Sequence, residues 1–270
     1  MDLEILAFEC ETETDVVCTP PFVNELFETP DVFELFGVGV NRAMLLMFLA
    51  AFIVIAVLWV ALRKRSVVPT KFGAAIEGLV TLVKDEIATG IIGPQGAKYA
   101  PYLISIFLFI LVGNLMEVTP FINFPITSRM ALPAFLAILT WVIFVFAGFK
   151  TQGLGYLGHI IWPKDVPIAL RWLVGIIEFV SIFLVRPFSL AVRLFANLVA
   201  GHVMLTLLLV TGYVYVTGFS NATFNGVFGA LWWVLALAIF LFEVVVSILQ
   251  AYIFTLLSAV YIQTSVHPEH

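Results

Sequence analysis

Apolar positions along this chain gather into long uninterrupted runs, and those runs set the architecture before any single residue does. The first covers residues 43–62 (AMLLMFLAAFIVIAVLWVAL) and closes on Arg63, Lys64 and Arg65. About 20 apolar residues make one helical crossing of a bilayer, and the basic cluster assigns its end to the cytoplasm. Residues 71–95 read differently. Phe72, Ala75, Ile76, Leu79, Val80 and Val83 recur at helical spacing with Glu77, Lys84, Asp85 and Glu86 between them, which predicts an amphipathic helix lying in the membrane interface. Apolar runs resume at 99–118, which holds Asn114 and Glu117 near its far end and stops at Pro120, and at 130–149, which returns to Lys150. The loop with Pro125 then lies outside. The stretch with Gly153, Gly155, Pro163, Lys164, Asp165, Pro167 and Arg171 lies in the cytoplasm.

The last two runs, 168–216 and 227–261, are far longer than an upright span needs. As continuous helices they would measure on the order of 50 to 70 Å, against a hydrocarbon core of about 30 Å, so they must tilt, bend or split. A turn at Gly218 to Asn225 separates them. The expected fold is an all-α integral membrane protein with about five membrane helices and one interfacial helix. Residues 1–34 form an acidic arm facing outside, and 35–270 form a single membrane domain.

Composition narrows this further. Of 270 residues 62% are hydrophobic and 11% charged, where soluble domains carry roughly a quarter charged. No separate soluble enzyme domain fits in what remains. The net charge of −5 hides an asymmetry, since ten of the 18 acidic residues precede residue 35; it bears on topology and gives no sign of nucleic-acid binding. Cys10 and Cys18, both in the acidic arm, are free to pair or stay reduced according to compartment. The N-terminus has no basic n-region and short apolar stretch of the kind a cleaved signal peptide shows, so the first span is expected to do its own targeting.

The chemistry centres on RPFSLAVRLFANLVAGH, which sets Arg193 in the middle of an apolar stretch. A guanidinium does not deprotonate, and at lipid depth it costs a few kcal/mol or more, so intramembrane charges usually mark function. Ser189 and Asn197 sit four residues to either side and share its helix face, while Ala196, Ala200 and Gly201 keep the surface thin enough for another helix to approach. Arg186, nearer the cytoplasmic end, reads as mainly structural and within snorkelling reach of the headgroups. In the partner run, Glu243 and Gln250 are seven apart and nearly on one face. If the runs form an antiparallel hairpin, the midpoint of 193 and 250 and that of 202 and 243 both fall within the turn. One register therefore places Arg193 opposite Gln250, and His202 opposite Glu243 about 10 to 14 Å nearer the outer turn. A histidine and a carboxylate in a wet cleft can relay protons near neutral pH. The alternative for His202 is a satisfied interhelical hydrogen bond, and for Glu117 a side chain reaching the headgroups. His267 and His270 belong to a solvated tail without metal-ligand spacing. No phosphate loop, nucleophile triad, zinc pattern or dinucleotide fingerprint occurs, so neither cofactor nor metal is expected.

RPFSLAVRLFANLVAGH and LQAYIFTLLSAVYI closely resemble subunit a of the F-type ATP synthase membrane sector. NLMEVTP at 114–120 and the short tail to His270 agree, so the resemblance covers residues 30–270; LFAN and PITSRMALP look like actinobacterial forms. The resemblance implies a proton-conducting stator subunit of a bacterial plasma membrane, not catalytic by itself, with its N-terminus outside and its C-terminus cytoplasmic. Its implied partners are the subunit c ring, the peripheral stalk subunit b, the rest of the complex and membrane lipids. By the same resemblance Arg193 is the essential arginine facing the ring carboxylate, with Gln250 beside it, and Glu117, Ser189, Asn197, His202 and Glu243 line aqueous half-channels. Many bacterial relatives carry the acid and the histidine of the His202 and Glu243 pair in exchanged positions. Family members lay the last two helices as a strongly inclined hairpin, which answers their excess length. Two rivals remain at this point. A secondary transporter would call for inverted repeats and midplane helix breaks, and a non-conducting scaffold would use Arg193 as an assembly contact.

Overall fold

The computed structural model describes residues 31–35, 38–63, 70–119, 130–153, 155–162, 167–217 and 222–266. The acidic arm up to residue 30 with Cys10 and Cys18, Lys64 and Arg65, the loop from Pro120 through Pro125, residues 163–166, most of the turn after Thr217, and the tail with His267 and His270 lie outside the described residues.

A short β-hairpin precedes the first membrane helix and has no counterpart in the helical expectation. Strand β1 (Asp31–Leu35) pairs antiparallel with β2 (Val38–Asn41), with Leu35 opposite Val38 and Phe33 opposite Val40. Alternating β-branched and aromatic residues favour such a ladder. Asn41 then caps the helix that follows, its Oδ1 accepting the Met44 N–H at 3.0 Å.

Helix α1 (Arg42–Arg63) carries Phe48, Phe52, Ile55 and Trp59 on its open surface, as a helix solvated by lipid does. Helix α2 (Lys71–Thr81) begins on a Thr70 cap and runs into a π-helical segment, Leu82–Thr89, and a last turn, Gly90–Ile92. The Thr89 hydroxyl donates back to the Asp85 carbonyl at 2.8 Å. Val83, Ile87 and Ile92 are buried, whereas the α2 face with Phe72 is open. After a 3₁₀ turn at Pro94–Lys98, α3 (Ala100–Val118) and α4 (Ala131–Gln152) cover the second and third apolar runs. Gly153, at φ 60°, ends α4 in a backbone conformation that glycine adopts without strain. The short α5 (Gly155–Ile161) follows.

The long run after residue 168 is helical throughout but not uniform: α6 (Ile168–Val180) passes through a π-helical stretch, Ser181–Val185, into α7 (Arg186–Thr217). The final helix α8 (Ala222–Val266) has 45 residues. By length and composition four helical stretches among the described residues can cross a membrane, Arg42–Ala61, Ala131–Gln152, Leu170–Val216 and Gly226–Val266, and Ala100–Met116 is a shorter apolar helix. The chain is thus a multi-span, essentially α-helical membrane protein.

Packing divides the chain into two compact units, one of Met1–Phe48, Gly113–Arg129 and Ala196–Ile248, the other of Leu49–Val112, Met130–Phe195 and Leu249–His270. In the second, the Tyr102 and Thr140 hydroxyls tie α3 to α4 at 2.7 Å, and Phe144 packs edge-on to Tyr261 of α8. Gly148 lies flush on the Tyr156 ring, where an added Cβ would come within 2.6 Å of the ring. In the first unit α7 and α8 run as a tight seam. Gly212 backs onto the Gly229 carbonyl, and Trp233 Nε1 donates to the Leu209 carbonyl at 3.4 Å.

Candidate functional site

The expected site residues divide between the two units. Arg193, Ser189 and Gln250 belong to the second, whereas Asn197, His202, Glu243 and Glu117 belong to the first.

In the second unit, Arg193 is exposed on α7. It has no hydrogen bond or ion pair among the described residues. Ser189 spends its hydroxyl on the Arg186 carbonyl at 3.1 Å, a back-bond within the helix that leaves Arg193 without help from that side. Gln250 is buried, 5% exposed, and its Nε2 lacks a partner among the described residues. The register expected from the sequence therefore produces no Arg193–Gln250 bond. One side chain faces out of the unit and the other in.

Arg186 behaves as the sequence suggested, with a more specific anchor. Its Nη1 donates to Thr264 Oγ1 at 3.1 Å and its guanidinium lies 5.0 Å from the Tyr261 ring centroid, so it fastens α7 to the end of α8. Nearby, Gln152 donates to the Ser265 carbonyl at 2.8 Å, and the Tyr156 and Ser265 hydroxyls meet at 3.3 Å. With His159 and Glu178 these groups surround a polar cavity of about 60 Å³, enough for a few waters. Burial pushes the Tyr156 phenol above its ordinary pKa of 10.0, with Ser265 and Arg186 pulling the other way, so at neutral pH it stays a neutral donor. The sequence did not single out this cluster, whose members come from four separate segments.

In the first unit, Glu243 is 6% exposed and neither carboxylate oxygen has a hydrogen-bond partner among the described residues. Its Oε1 lies directly against Gly201, where even a Cβ would overlap it. Glycine at 201 is what lets the carboxylate enter the seam. His202, next in sequence, is buried at 5% exposure. The Gly201–Glu243, Leu209–Trp233 and Gly212–Gly229 contacts all have midpoints within the turn expected from the sequence, so the antiparallel register holds through this unit. Asn197 is half-buried on α7. Glu117 lies in the last turn of α3, and its side chain is outside the described residues.

Two polar residues join Glu243 that were not among the expected site residues. Asn114 of α3 is fully buried and donates through Nδ2 to the Ser247 carbonyl at 3.3 Å, one turn along α8 from Glu243, while its Oδ1 has no partner among the described residues. Ser247 shares the buried face of α8 with Glu243 and Gln250. Their signal was present in the i, i+4, i+7 spacing of 243, 247 and 250, a polar stripe on an otherwise apolar helix.

Among known proteins, the family described as ATP synthase A chain matches residues 44–263. ATP synthase subunit a of Frankia alni is 41% identical over 254 residues, covering 91% of this chain and 86% of that protein. The subunit a of a Nocardioides species is 38% identical over 263 residues, 93% and 94% of the two chains, and that of Rhodococcus erythropolis 35% over 232, 85% and 83%. The chain belongs to the ATP synthase subunit a family. As a subunit a it is a proton-conducting stator component of the F-type ATP synthase, coupling proton flow to rotation of the ring, and is not itself a catalyst. The transporter and scaffold readings therefore fall away as accounts of the whole chain.

Proposed function

We propose that Arg193 is the fixed cation that meets the carboxylates of a passing subunit c ring, and that it separates two aqueous half-channels. What supports this reading is the exposure of Arg193 on α7 with no hydrogen bond or ion pair among the described residues. A guanidinium at the centre of a membrane helix costs about 2.5–3.5 kcal/mol even on the more lenient insertion scale. In this reading the counter-charge comes from another chain, the ring carboxylate.

In this reading the outer half-channel reaches the ring past Glu117, His202 and Glu243, with Asn197 alongside, and delivers a proton to a ring carboxylate. After nearly a full rotation that carboxyl comes to Arg193 from the other side. The fixed positive charge favours its ionised form, so the proton leaves through the cytoplasmic half-channel. The same charge repels protons that would otherwise leak between the channels. Gln250 is the uncharged hydrogen-bonding group that α8 offers near the level of Arg193, without a bond to it, and Ser189 borders the exit side. Each proton carries about 2.3 kcal/mol per 100 mV, so rotation must sum several for each ATP made elsewhere in the complex.

The arrangement in the membrane follows. Ala100–Val118 serves as the second of five membrane helices, α7 and α8 lie inclined against the ring as an antiparallel hairpin, and residues 35–270 act as one membrane domain. Basic residues after the first span and at Lys150 support a cytoplasmic C-terminus and an acidic arm, 1–34, outside a bacterial plasma membrane. The peripheral stalk subunit b and membrane lipids are its further partners in this reading.

The test is reconstitution of the whole complex with Arg193→Ala and Arg193→Lys. Assembled complexes without ATP-driven proton pumping support conduction at Arg193. Complexes that pump normally without it overturn the assignment, and failure to assemble favours an assembly role.

A further inference from the structure

The run from α6 into α7 is helical without a break, yet it does not keep one pitch. Between Ser181 and Val185 the helix widens, and the Arg186 N–H bonds the Ser181 carbonyl, five residues back instead of four. A turn closed in that way holds about one residue more than an α-turn. Pro187 helps to fix where the wider turn falls. It has no N–H to give and its ring crowds the carbonyl four residues back, and a local π adjustment is one way a membrane helix accommodates this.

The widening changes which residues share a side. Glu178 and Arg186 are eight apart. In a plain α-helix eight residues overshoot two turns by about 80°, which would send the two side chains in different directions. With one wider turn between them, the same eight residues make about two full turns. The structure has that alignment, because Glu178, Ile182 and Arg186 line one polar cavity together with Gln152, Tyr156 and Ser265. Both flanks are held independently of the turn. Before it, Gly175 is buried against the end of α5, where a Cβ would stand 2.8 Å from the Ile161 carbonyl carbon. After it, Arg186 is bonded to Thr264 at 3.1 Å and Leu190 is buried. A helix docked on both flanks tolerates only one rotation of one flank against the other, and everything beyond the turn inherits that rotation.

We propose that Ser181–Val185 is a positioning element for Arg193: its wide turn takes up one residue that two plain turns do not need, so both flanks dock while α7 holds Arg193 in its open direction. The count between Glu178 and Arg186 is therefore in surplus by one. Seven residues of plain helix fall only about 20° short of two turns, so removing one residue from the wide turn preserves both anchors. Removing one from the plain helix of α7 turns Arg193 by about 100° against Arg186. The link to proton pumping rests on the reading of Arg193 as the cation that meets the ring.

The test deletes single residues in the whole complex: Leu184, exposed within the wide turn, or Phe188, exposed in the plain helix between Arg186 and Arg193. Assembled amount by native gel, melting temperature and ATP-driven acidification of inverted vesicles are measured. The Leu184 deletion is expected to assemble and to pump at the parent's rate. The Phe188 deletion is expected to assemble with the parent's melting temperature and to lose about a hundredfold in pumping, since the guanidinium is swung out of place. Should the Leu184 deletion not assemble because Pro187 then sits in a plain helix, the same deletion with Pro187→Ala is the second variant. Loss of pumping or of assembly in both overturns the proposal, as does parent-level pumping after deletion of Phe188. Failure of the Phe188 deletion to assemble overturns it too, since the register would then serve packing alone. If the underlying reading is what fails, the sign is different: Arg193→Ala itself pumps normally.

Discussion

Gly201→Ala tests the geometry at Glu243 most directly. An alanine Cβ would overlap Oε1 of Glu243 and stand 3.0 Å from its Cδ and 3.5 Å from its Cγ. Carbon atoms rest about 3.5–4.0 Å apart, so the carboxylate must retreat or the helices must part. The carboxylate is the end of a flexible side chain, so it can turn aside, but only within a buried seam that also holds His202. Overpacking of this kind costs about 1–3 kcal/mol, which corresponds to about 5- to 150-fold in the occupancy of the native arrangement. ATP-driven acidification of inverted vesicles is expected to fall by a comparable factor, with normal amounts of assembled complex by native gel. Glu243→Asp on top of Gly201→Ala withdraws the carboxylate by one methylene and should recover part of the loss. Gly226→Ala, where an added Cβ meets nothing within 4 Å, is the control and should be silent. Full pumping by Gly201→Ala, or an assembled double variant without any recovery, would refute the argument that glycine at 201 makes room for a working carboxylate.

Other consequences follow from single contacts. Arg186→Met removes the Thr264 bond and the Tyr261 ring contact; with Arg186 partly exposed, the loss should be about 1–2 kcal/mol, seen as a lower melting temperature of the detergent-solubilised complex while pumping persists. A pumping defect without loss of stability would instead place Arg186 in the proton path. Asn41→Ala removes the cap of α1 and should cost about 1 kcal/mol of local stability, read as faster amide exchange at Met44 and its neighbours, whereas Asn41→Asp should leave exchange nearly unchanged.

What could be read from the order of residues was whatever periodicity and charge express locally. Apolar run lengths located the membrane helices, because a bilayer core imposes a minimum length whatever the neighbours are. The antiparallel register of the last two helices was legible as well, because polar residues at 193, 202, 243 and 250 share a midpoint and the seam of α7 and α8 confirms it at Gly201, Leu209 and Gly212. The small β-hairpin was not, since a few alternating residues carry too weak a signal beside a long apolar run. Only tertiary packing decided which polar residues share a site. The sequence paired Arg193 with Gln250 by register alone, yet one side chain faces out of its unit and the other is buried with an unpartnered amide. Asn114 reaches Ser247 across more than a hundred residues, and the cluster of Gln152, Tyr156, Glu178, Arg186 and Ser265 draws on four segments. Spacing along one helix tells which groups share a face; what that face meets depends on other helices, and a single chain carries no local mark of it.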